Sequence, residues 1–126
     1  MGVTRRVAVA APNAAAADAA AVTAESGGNA VDAAIAASLV TMVNEVGLVS
    51  LSSGGFVTVQ PADGSDPVTV DGWMDMPGRR STEQSPMEPG QGTWDVETEY
   101  GGGVTITIGP GAVATHGAVA AFEETH

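Results

Sequence analysis

Apolar side chains recur at helical spacing along residues 29–46. Val31, Ala34, Ile35, Leu39, Met42, Val43 and Val46 share one face, interrupted by Ser38. That spacing predicts a helix over 29–46 with this face buried. Just before it stands Gly27-Gly28-Asn29. Glycine takes the left-handed conformation that closes a preceding helix, and asparagine is a good N-cap for the next. Asp32, three residues on, completes a capping box. Residues 14–26 are almost pure alanine, the residue with the best helix propensity, and Asn13 is placed to cap them. Residues 6–11 alternate weakly and predict a short strand.

Beyond Gly47 the period changes from helical to alternating. Ser52-Ser53-Gly54-Gly55 reads as a turn, with Gly54 and Gly55 as its structural glycines. Residues 56–60 and 67–73 alternate on either side of the turn formers Pro61, Asp63, Gly64 and Asp66, which predicts a hairpin. Residues 74–103 hold Pro77, Pro86, Pro89, several glycines and scattered acids, and read as one long loop. Residues 104–108 predict a strand. Gly109-Pro110-Gly111 breaks it, and a helical pattern runs over 112–126 through Val113, Ala120 and Phe122. No glycine or proline stop closes that last helix, so the chain reads as cut within it. The class is α+β.

Length and composition sharpen this picture. The 126 residues suit one modest domain, yet only five are aromatic: Phe56, Trp73, Trp94, Tyr100 and Phe122. Much of the apolar content is alanine and valine, and an alanine buries little area. The core is therefore thinly supplied, a shortage that a larger assembly would relieve. Cysteine is absent, which excludes disulfides and thiol chemistry. No apolar run is long enough to span a membrane, and no secretory leader is evident, so the expected location is cytoplasmic. Fifteen acids against four arginines and no lysine give a net charge of −11. Neither nucleic acid nor an anionic membrane attracts such a chain. The balance suits a high-salt cytoplasm, where self-repulsion is screened within about 3 Å at 1 M salt; an ordinary acidic protein is the alternative.

Candidate chemistry is sparse. No metal-ligand spacing occurs, and no cofactor is expected. Gly54-Gly55 is followed by no lysine or Walker pattern, so a structural turn outweighs a phosphate cradle. Ser52 and Ser53 have no histidine placed in sequence to activate them. Asp71 and Asp75 form a possible carboxylate pair, and His116 has no partner at ligand spacing. Trp73 reads equally as a core side chain or a pocket wall. Arg79-Arg80 concentrates half the positive charge, as a surface ion pair or as an anion site. No catalytic residue is assigned.

Three segments, in order, resemble the start of the large subunit of gamma-glutamyltranspeptidases. Ala11-Pro12-Asn13 with Gly27-Gly28-Asn29-Ala30-Val31-Asp32-Ala33-Ala34 is similar to the family's opening. Ser53-Gly54-Gly55-Phe56, leading to Val70-Asp71, is similar to its glycine-rich turn and the strands that follow. Gly109-Pro110-Gly111-Ala112-Val113 is similar to a later helix start. The resemblance implies a fragment of an N-terminal-nucleophile hydrolase αββα sandwich, with 1–126 as the early part of the large subunit. It implies a γ-glutamyl transferase or hydrolase acting through an acyl-enzyme on a threonine beyond this chain. The implied partners are the rest of the large subunit, the small subunit and a small γ-glutamyl or related amide; the fragment alone is expected to be inactive. A non-catalytic paralogue or protein-binding module is the alternative, and a nucleotide-binding fragment a weaker one. In the family an arginine follows the aspartate of the second hairpin strand and clamps a carboxylate. Here Trp73 stands in that place, and Ser52 and Ser53 replace usual glycines. Both departures bear on glutathione specificity. Trp73, with Arg79 or Arg80 reaching the same place, is the implied substrate contact.

Overall fold

The computed structural model describes residues 7–75 and 92–126. They are α+β, with helices and antiparallel two-stranded sheets, and divide into two compact units. One runs up to Trp73 and takes in His116–His126; the other is Met74–Thr115.

The first unit opens with α1 (Ala14–Glu25) and α2 (Ala30–Asn44). The Asn13 side chain accepts from the Ala16 N–H at 2.9 Å and caps α1. At the far end, the Gly27 N–H donates to the Ala24 carbonyl at 3.1 Å and the Gly28 N–H to that of Thr23 at 3.0 Å. This pairing satisfies two carbonyls left free by the helix end, and it needs a left-handed residue. Gly27, at φ 98°, supplies it. Asn29 then accepts from the Val31 and Asp32 N–H groups at 2.7 and 3.1 Å. Asp32 accepts in return from the Asn29 N–H at 2.7 Å, so the box is reciprocal.

The two helices meet through alanines. Ala16 and Ala20 pack on Ala33 and Ala37, with Ala11 and Val40 partly buried beside them. Asn13 donates to Glu45 at 2.8 Å and ties the start of α1 to the end of α2. The buried stripe of α2 is therefore not the face expected from its periodicity. Its larger residues turn elsewhere, and Val46, beyond the helix end, is 84% exposed. The reason is steric: the closest approach of two helices runs through their smallest side chains, and α1 offers alanine. The helix also ends at Asn44 rather than 46, where the chain turns through Glu45. Residues 7–11 form no strand, because alternation supplies no hydrogen-bonded neighbour and none pairs with them here.

Next come β1 (Gly55–Val59) and β2 (Val68–Gly72), antiparallel, with Phe56 opposite Asp71 and Thr58 opposite Thr69. Val57, Val59 and Val70 are half-buried, whereas Phe56, Thr58, Thr69 and Asp71 alternate with them and are exposed. Helix α3 (Ala118–Thr125) packs on both strands and buries Ala118 and Ala121. Its entry is very close: a Cβ on Gly117 would lie 2.5 Å from the Gly72 carbonyl oxygen. The Ala118 N–H donates to the Ser53 carbonyl at 3.1 Å.

The second unit holds β3 (Trp94–Thr98) and β4 (Val104–Ile108), also antiparallel. β3 lies inside the stretch expected to be loop. Trp94, Val96 and Thr98 alternate with Asp95 and Glu97, and the acids occupy the second face, where Thr107 donates to Asp95 at 2.6 Å. Residues 76–91 of that stretch lie outside the described residues. The helix expected over 112–126 shrinks to Ala118–Thr125. Pro110–Ala112 is a 3-10 turn, and the Thr115 backbone is committed to an antiparallel bridge with Asp75, at 2.7 and 3.0 Å.

Candidate functional site

Two residues on one strand face share a side when they are two apart, and cross-strand partners share it too. The β1–β2 register therefore gathers Phe56 and Asp71 on the outward face, with Thr58 and Thr69 next along it. Trp73 follows two residues after Asp71. Its ring stacks on Phe56 with centroids 5.6 Å apart and planes within 7°. The Asp71 carboxylate accepts from the Trp73 backbone N–H at 2.9 Å, which fixes both the carboxylate and the path of the chain beneath the indole. The Thr58 and Thr69 hydroxyls are 2.9 Å apart. Phe56 and Trp73 are 60% and 57% exposed, so neither ring is a core side chain within its unit.

An apolar cleft of about 650 Å3 lies in the same unit, with Phe56 among its lining residues. Val31, Ile35 and Met42 of α2 line it, together with Gly54, Gly55 and Phe122. The larger side chains of α2, read from sequence as buried, thus border open space. The hydrogen-bonded turn before β1 is made by Ser50 and Ser53, and Gly55 is the first residue of the strand.

The remaining candidates separate. Ser53 accepts from the Ser50 N–H at 2.8 Å, and the Ser50 hydroxyl accepts from the Ser52 N–H at 3.2 Å. Those serines shape a turn. Asp71 and Asp75 fall in different units, and the Asp75 backbone pairs with Thr115. His116 is exposed and precedes α3 instead of lying on it. Arg79 and Arg80 lie outside the described residues. Among the described residues no group of acids and histidines could hold a metal ion. His126 lies 3.4 Å from the helix-capping Asp32. In the exposed hairpin loop, a hydrogen bond from the Ser65 backbone holds the Asp63 carboxyl below its ordinary range, with a smaller contribution from the Ser65 side chain.

Phe56 is the residue that sequence reasoning missed. It was legible only through the register, since its relation to Trp73 depends on which residue of β2 faces it.

A family model described as Gamma-glutamyltranspeptidase matches residues 16–126. No curated protein matches the chain. Among the described residues no helix is long and apolar enough to cross a membrane.

Proposed function

The chain belongs to the gamma-glutamyltranspeptidase family, and from that premise we propose that it is the early part of an enzyme that cleaves γ-glutamyl or related amides. In this reading it contributes to an N-terminal-nucleophile hydrolase sandwich, together with the rest of the large subunit and a small subunit. A threonine outside this chain attacks the amide carbonyl. Its hydroxyl oxygen takes the acyl group, its own free amine serves as base, and the amine half of the substrate leaves. Water or an acceptor amine then receives the acyl group.

The family match over residues 16–126 carries this reading. The packing supports it as well. The buried hydrophobic residues among those described are six alanines, while Leu39, Leu48, Trp94 and Ile106 are exposed. Extended apolar exposure marks surfaces that other protein covers. The acidic balance supports a high-salt cytoplasm as the working environment.

One observation favours a second reading. Trp73 stacks on an aromatic ring and borders a carboxylate, which is poor company for a substrate carboxylate. A relative acting on a different amide, or a non-catalytic paralogue, fits that face. Reading the coding DNA past His126 tests the main proposal. An open frame that continues to a threonine preceded by a cleavable bond is expected. A stop codon directly after His126 would contradict it.

A further inference from the structure

The outward face of the β1–β2 hairpin carries two exposed aromatic rings beside a fixed carboxylate. The rings are parallel and in contact, so the surface they present is preformed and costs little ordering on binding. Asp71 sits directly across the ladder from Phe56 and is held through the Trp73 N–H. Hydroxyls of Thr58 and Thr69 continue the same face. The chain carries a net charge of −11.

An anion meets a carboxylate and the outer, negative face of a stacked ring there, so it is disfavoured. A neutral apolar group gains contact with that ring alone. An organic cation gains from both, because the ring quadrupole and the carboxylate attract it together. The long-range field of an acidic chain also favours its approach.

We propose that Phe56, Asp71 and Trp73 bind an ammonium or guanidinium group. That the group belongs to a substrate rests on the amide-cleaving function proposed above; the cation site itself does not.

The two parts are separable by experiment. In the full chain with Trp94→Phe, indole fluorescence reports Trp73 alone. Choline chloride and its neutral isostere 3,3-dimethylbutan-1-ol are titrated at constant ionic strength, with acetate as the anion. Choline is expected to shift the emission saturably and to bind at least about fivefold tighter than the isostere. Asp71→Asn keeps the oxygen that accepts from the Trp73 N–H and removes the charge. It is expected to weaken choline by about the same factor and to leave the isostere unchanged. Phe56→Leu, which removes the stacked ring and retains an apolar side chain, is expected to weaken choline as well. Equal binding of choline and the isostere would overturn the proposal, as would tighter binding of acetate. So would the lack of a saturable response up to about 0.1 M choline, a range that still detects affinities weaker than millimolar. None of these results requires turnover, so their failure leaves the amide-cleaving reading intact. Conversely, lack of amide cleavage leaves a measured cation preference intact.

Discussion

At the residue scale, the turn between α1 and α2 is tightly constrained. Gly27 supplies a left-handed backbone, and Gly28 sits against its neighbours. A Cβ at Gly28 would stand 2.9 Å from both the Thr23 carbonyl oxygen and its methyl group, and 3.2 Å from the Asp32 Cβ. Gly28→Val therefore strains the hydrogen bond that closes α1 and the box that opens α2. The expected destabilisation is about 1–3 kcal/mol, read as a lower melting midpoint by circular dichroism. An unchanged midpoint would remove the turn from its central place. These roles were legible in sequence because helix caps are local: Asn29 and Asp32 need only each other and the first turn. The aromatic stack was not legible, because Phe56 and Trp73 are separated by a whole hairpin and meet only in one register.

At the element scale, sequence and structure agree where an element is stabilised within itself. They part where it depends on a neighbour. The alanine-rich helix and the β1–β2 hairpin follow from propensity and turn chemistry, and their ends move by a residue or two. The face of α2 that packs was misjudged, because periodicity ranks residues by apolarity while close approach selects the smallest. β3 was hidden by the acids that occupy its second face, although the alternation from Trp94 to Thr98 was present. The last helix is shortened for a reason outside its own composition. The Thr115 backbone is taken up by Asp75, and Gly117 lies against Gly72. The second contact is testable. Gly117→Ala places a methyl group 2.5 Å from the Gly72 carbonyl oxygen, so α3 must shift from the hairpin it covers. A loss of about 1–3 kcal/mol is expected in urea unfolding. Ala120→Gly, at an exposed helical position, serves as a comparison and is expected to cost about 1 kcal/mol. A Gly117→Ala variant as stable as the parent would show that the close approach is not needed.

At the scale of the whole molecule, the thin apolar supply read from composition returns as a core of alanines. No side chain larger than alanine is buried among the described hydrophobic residues, and both tryptophans are exposed. Alanine burial contributes little area, so each unit gains modestly from its own interior. Family membership gives the reason a chain can carry such a core, because members of a multi-part enzyme share interiors across segments. Sequence alone supplied the family, through the string at Gly27–Ala34 and the two segments after it, and the match over residues 16–126 agrees. Sequence did not supply chemistry, since no constellation of nucleophile and base assembles within the described residues. On the proposed function, this chain shapes a site whose reacting threonine comes from elsewhere. The most direct test of that claim is release of the anilide from a γ-glutamyl anilide by the purified chain, before and after the threonine-bearing remainder of the enzyme is added. No turnover by the chain alone and turnover on addition is the predicted result; sustained turnover by the chain alone, surviving removal of contaminants, would contradict it.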